Sequence, residues 1–139
     1  MPIKSRWTDQ FCELPNQSKF HEKVRRIMVA DQLLRGFKAY QETPVKDLCP
    51  GYEYNHFFDW YIQELNTVLE LHGAQHYKVV NYGNVSYEQA QRNFTGIQSR
   101  DKQKKAAALA ANYKYIEISY KEYPKLNAIK LKQLLFEVD

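Results

Sequence analysis

Apolar positions change period several times along the chain, and each change marks an element. Residues 18–35 carry Phe20, Val24, Ile27, Met28 and Leu34 at helical spacing, with Ser18 as N-cap and Gly36 as stop. Residues 37–42 read as a first strand, and 43–55, with Pro44, Pro50 and Gly51, as a loop or wide hairpin connection. Residues 57–62 (FFDWYI) are aromatic and β-branched, 63–66 form a turn, and 67–72 (TVLELH) return as a second strand that Gly73 ends. Residues 78–85 are loop-like. Ser86 to Gln89 then form a capping box that opens a helix reaching residue 112, with Ala90, Phe94, Ile97 and Ala108 on its buried face. Residues 113–120 (YKYIEISY) alternate as a strand, and 123–139 close with a short helix after Pro124. The order helix, strand, strand, strand, helix, strand, helix predicts an α/β fold, a small mixed β-sheet flanked by helices. Residues 17–139 read as one domain and 1–16 as an N-terminal arm. In the arm, either Trp7 and Phe11 pack on the core or Lys4 and Arg6 touch a phosphate backbone.

Composition narrows this picture modestly. A chain of 139 residues with 44% hydrophobic and 14% aromatic content folds around a single core. The net charge of +4 permits a polyanionic partner without demanding one. No apolar run approaches the ~20 residues of a membrane span, and residues after Met1 lack a secretory core, so cytoplasmic residence is expected. Cys12 and Cys49 are far apart with no CxxC, which argues against a disulfide framework.

Several charges fall on apolar faces. Glu22 lies nearly opposite Phe20, in line with Val29 and Leu33, on a second partly apolar side of its helix; the competing reading pairs it with Arg25 or Arg26. Asp101 and Lys105 fall on the buried stripe of the long helix, flanked by Arg100, Lys102 and Lys104. In the central hairpin, Val68, Glu70 and His72 share one face while Leu69 and Leu71 take the other. Asp59 and Glu70 then project toward one point beside an imidazole. Keeping both ionised costs on the order of several kcal/mol unless a cation lies between them. A hard divalent ion such as Mg²⁺ suits oxygen ligands best.

The run FDWYIQELNTVLELHGAQHY resembles the core of small PD-(D/E)XK nucleases, in the branch similar to very-short-patch repair and EDxHD homing endonucleases. An upstream helix with a glutamate (SKFHE, residues 18–22) and a downstream RDKQKK (residues 100–105) extend the likeness over residues 18–120. The resemblance implies a restriction-endonuclease-like fold and a Mg²⁺-dependent DNA endonuclease, with Mn²⁺ able to substitute. It implies double-stranded DNA as partner, no membrane, and a monomer that nicks one strand or a homodimer, in a bacterial or phage-infected cell. Asp59, Glu70 and the Leu71 carbonyl would hold the metal, with Glu22 and Asp101 as outer acidic groups. His72 stands where lysine is usual, which leaves His76 (preferred) or His72 as general base. Gln75 would orient a water or phosphate, and Lys78, Arg100, Lys102 and Lys105 would contact the DNA.

Two rival readings remain. His72 and His76 have zinc-ligand spacing that Cys12 and Cys49 would complete. Alternatively, the chain only binds nucleic acid on a nuclease-like fold, with Tyr52, Tyr54, Tyr82 and Tyr87 as contacts.

Overall fold

The computed structural model describes residues 7–80, 83 and 85–137. Along the chain come β1 (Thr8–Asp9), α1 (Lys19–Ala30), β2 (Ala39–Pro44), α2 (Val45–Leu48), β3 (Phe57–Ile62), β4 (Thr67–His72), α3 (Tyr87–Ala110), β5 (Lys114–Ser119) and α4 (Ala128–Phe136). The strands form one mixed sheet in the order β1-β2-β3-β4-β5. Its pairs are antiparallel except β4–β5, which is parallel and therefore needs the long connection that holds α3.

Each face of the sheet carries an apolar cluster. Phe20, Val24 and Met28 of α1 and Leu131 and Leu135 of α4 pack on Trp60, Ile62, Leu69 and Ile118. On the other face Val45 and Leu48 of α2 and Ala108 of α3 pack on Tyr61 and Val68. The adjacent residues Val68 and Leu69 thus feed opposite clusters, as strand alternation requires. The α/β expectation is met by a sheet between helical layers.

Local chemistry explains where elements begin and stop. Ser18 Oγ accepts from the His21 amide at 3.0 Å, and Ser86 Oγ from the Gln89 amide at 3.1 Å, so both expected N-caps form. Helix α1 stops at Ala30, short of the expected residue 35. Asp31 Oδ2 accepts from the Leu33 and Leu34 amides at 3.1 and 3.0 Å, offering the backbone an alternative to the helix. Leu33 is consequently exposed, while Glu22 and Val29 on that side of α1 are half-buried. β2 starts and ends two residues later than expected, and α2 replaces part of the expected 43–55 loop. The hairpin strands β3 and β4 have the expected bounds, with Asn66 left-handed (φ 49°) in the turn.

The expected arm is in part an edge of the sheet. β1 pairs with β2, and Trp7 meets Tyr40 and Tyr61 edge-on with centroids at 5.1 and 5.7 Å. Its Nε1 donates to Asp47 Oδ2 at 2.8 Å, whereas Phe11 is exposed. Lys4, Arg6 and Tyr82 lie outside the described residues. Among those described, no helix is long and apolar enough to cross a membrane.

Candidate functional site

Both ladders around β3 break at Asp59. β3 pairs with β4 only from Trp60↔Leu69 to Ile62↔Thr67, next to the turn. Its pairing with β2 runs from Gln41↔Trp60 to Thr43↔Phe58 and passes over Asp59 and Glu42, whose φ is 47°. β4 meanwhile pairs with β5 as far as His72↔Ser119. The mouth of the hairpin is therefore parted on the β3 side. Asp59 Oδ2 enters the gap and accepts from the Leu71 amide at 2.7 Å. A strand residue presents its N–H and C=O to the same neighbour, so the Leu71 carbonyl faces that gap too.

Glu70, 2% exposed, lies beside Asp59. Its pKa is raised well above the usual carboxylate range, first by burial and then by the Asp59 charge, against the pull of Lys104. The Lys104 ammonium is 2.5 Å from Glu70 Oε1 and donates to the Phe57 carbonyl at 2.8 Å. Glu70 Oε1 is nonetheless without a hydrogen-bond partner, so this contact neutralises charge off the hydrogen-bonding direction. Of five such orphaned buried side-chain atoms among the described residues, three are Glu70 Oε1, His72 Nε2 and Tyr115 OH. All three stand on the same face of β4 and β5, since Val68 pairs with Tyr115 and Glu70 with Glu117. Burial, then Glu70 and Glu117, then Asp101 and Asp59, push the Tyr115 phenol upward and keep it a donor. Unsatisfied polar atoms converging on carboxylates fit a bound cation and its water.

Beside this pair, His72 and His76 stack with ring centroids 4.0 Å apart and planes 6° apart. Asp101 reaches down from α3 to both: Oδ2 is 2.7 Å from His76 Nδ1, and Oδ1 is 3.7 Å from His72 Nε2. On its other side His72 Nδ1 lies 3.4 Å from Glu117 Oε1, and Glu117 Oε2 accepts from Tyr77 OH at 2.5 Å. Burial, then neighbouring His76, lower the His72 pKa.

Asp59, Glu70, Leu71, His72, His76 and Asp101 are thus brought together, and other expected members are not. Glu22 belongs to α1, on the far side of the sheet, where it pairs with Arg25 at 2.7 Å and Arg26 at 3.3 Å. Those contacts, foremost the Arg25 hydrogen bond, lower its pKa. It lines a cleft of about 680 Å³ with Lys19, Lys23 and Tyr123, none of them a site residue. Lys105 is exposed with its ammonium 5.7 Å above the Tyr115 ring; the inward lysine of α3 is Lys104. Lys102 is exposed. Gln75 curls over Gly73 and, with Lys78, Arg92 and Arg100, lines a groove of about 470 Å³ beside the site. None of that groove's lining residues is acidic. Cys12 is exposed and Cys49 lies in the second apolar cluster, so no four-ligand zinc set with the histidines forms. Tyr52 OH is tied to His56 Nδ1 at 2.6 Å and Tyr54 stacks on His56, while Tyr87 is exposed.

Glu117, Tyr77 and Tyr115 join the site without having been expected there, and Lys104, expected only as a flanking charge, is its inward lysine. Glu117 stands between two isoleucines as Glu70 stands between two leucines, and that signal was available. Lys104, three residues past Asp101, fits the helical stripe no better than Lys105. No family model, no curated protein and no solved structure matches this chain.

Proposed function

We propose that the chain is a Mg²⁺-dependent endodeoxyribonuclease on a restriction-endonuclease-like fold, related to the very-short-patch repair and EDxHD branch of PD-(D/E)XK nucleases. The observation that carries this reading is the parted hairpin mouth, where two carboxyl groups and the Leu71 carbonyl converge beside a buried lysine. Three oxygens of this kind suit a hard ion. Lys104, reaching in from α3, supplies the positive charge that the common pattern places at the position of His72.

Asp59 and Glu70, with the Leu71 carbonyl, would hold the ion. Bound there, Mg²⁺ would neutralise the phosphate and acidify a water, and Mn²⁺ would substitute. The Leu71 amide fixes the Asp59 carboxylate, and Lys104 offsets the charge of Glu70. His76, oriented through Nδ1 by Asp101, presents Nε2 as the base for the attacking water. The water oxygen joins phosphorus, the bond to the leaving sugar oxygen breaks, and that oxygen takes up a proton. Gln75, Lys78, Arg92 and Arg100 border the groove through which an anionic strand would approach. One chain carries one such site, so a monomer nicks duplex DNA and a double-strand break takes a dimer or two successive visits.

Supercoiled plasmid is the direct test. Wild type with Mg²⁺ is expected to relax it, and EDTA or Asp59→Asn to stop the reaction with the fold intact. Relaxation undiminished by Asp59→Asn overturns the assignment. DNA retardation in a gel without cleavage under any divalent ion replaces it by the non-catalytic binder.

A further inference from the structure

We infer that His72, His76 and Asp101 form a second cation site, selective for borderline transition ions such as Zn²⁺, Co²⁺ or Ni²⁺ and separate from the oxygen cage at Asp59 and Glu70. One ligand atom from each of the three residues lies within 4.8 Å of the others.

The state of His72 is the strongest argument. Its ring is 2% exposed, and Nδ1 lies 3.4 Å from Glu117 Oε1, a carboxylate oxygen that can only accept. A proton on Nδ1, facing that carboxylate, leaves a lone pair on Nε2. Nε2 is orphaned, and the oxygen facing it at 3.7 Å belongs to Asp101, another acceptor. Two electron-rich atoms pointed at each other in a buried site repel, and a cation between them removes the repulsion.

The surroundings have the form of a supported metal site. A ligating histidine usually donates its other nitrogen to a carboxylate that is itself held. Here Glu117 Oε1 stands 3.4 Å from His72 Nδ1, and Glu117 is anchored by Tyr77 OH. His76 is four residues on, in a turn closed by its amide on the Gly73 carbonyl at 3.1 Å, and it stacks on His72 so that both rings meet Asp101. The ligands stand on β4, the following turn and the middle of α3, three elements fixed by the fold. Two imidazoles and one carboxylate favour borderline ions over Mg²⁺, and three protein ligands leave a position open.

This site does not depend on the endonuclease reading, though it shares His76 with it. Filling it withdraws the proposed base, so Zn²⁺ is expected to inhibit Mg²⁺-dependent cleavage. The test is calorimetric titration of the EDTA-treated, desalted full chain with ZnCl₂ under excess Mg²⁺, with Co²⁺ absorption reporting the ligand geometry. Wild type is expected to bind one Zn²⁺ per chain. His76→Ala and Asp101→Asn, checked for folding by circular dichroism, should abolish that binding; Glu117→Gln should weaken it about 10–100-fold; Asp59→Asn, which removes only a neighbouring charge, should weaken it less than Glu117→Gln. Failure of wild type to bind Zn²⁺, or binding unaffected in folded His76→Ala and Asp101→Asn, overturns the inference. A protein that binds Zn²⁺ but never cleaves DNA overturns only the endonuclease reading. One that cleaves with Mg²⁺ yet ignores Zn²⁺ overturns only this site.

Discussion

Lys104 Nζ, in the second turn from the end of α3, lies 2.5 Å from Glu70 Oε1 on β4, joining the long helix to the sheet through a nearly buried charge pair. Their side chains are 10% and 2% exposed. Removing one partner leaves the other charge in a medium that solvates it poorly.

Lys104→Met should therefore lower stability by about 3–5 kcal/mol at pH values where Glu70 is ionised. Because Glu70 has a raised pKa in the fold, the folded state holds its proton more tightly than the unfolded state. The penalty is absent in acid, where Glu70 is protonated in both folded proteins, and appears as pH rises through the raised value at which Glu70 ionises beside Lys104 in the wild type. Denaturation midpoints of wild type and variant should converge in acid and separate above it. Midpoints that stay equally spaced at every pH would remove Lys104 from the site.

Divalent ions should stabilise the wild-type fold by relieving the same repulsion. A ligand at a hundred times its Kd adds about 2.7 kcal/mol. Thermal melts with Mg²⁺ against EDTA should show that gain in wild type and its loss in Glu70→Gln. A gain of equal size in the variant would place the ion elsewhere.

His76 and Asp101 should behave as one unit. If Asp101 acts by orienting His76, His76→Ala lowers single-turnover cleavage about 10²–10⁴-fold. Asp101→Asn then adds little to it, because the group it orients is gone. Multiplying penalties in the double variant would show that the two residues act separately.

Gly73→Ala probes the Gln75 side chain. A Cβ at Gly73 would sit 2.7 Å from Gln75 Oε1, the far end of a flexible chain that can swing away. The backbone φ of −71° suits alanine. Stability should stay within about 0.5 kcal/mol of wild type while cleavage falls. Full activity in this variant would dismiss Gln75 from substrate positioning.

The hairpin was legible because two signals coincide there: alternation with aromatic and β-branched residues in β3 and β4, and a turn that Asn66 closes with a left-handed backbone. The end of α1 was not, because Asp31 halts it through side-chain bonds to Leu33 and Leu34 that leave the apolar spacing intact. Glu22 was misplaced for a related reason. The second apolar side inferred for α1 is only half-covered among the described residues, and Arg25 and Arg26, one turn on, take the carboxylate. Which lysine of α3 turns inward depends on how that helix lies across β4 and β5. Residues 104 and 105 differ by only about 100° around the axis, and tertiary packing decides between them.

Asp59, a strand residue unpaired on both flanks, gives this hairpin one stiff end and one pliable end. Rungs beside the turn, from Trp60↔Leu69 to Ile62↔Thr67, hold the hairpin shut. Past them no rung joins β3 to β4, although β2 and β5 still pair with their outer edges, so the two carboxyl groups have room to shift while the heel of the hairpin stays closed. Amide deuterium uptake should therefore run faster at Asp59 than at Tyr61 and Val68, and ion binding should slow it at the open end alone.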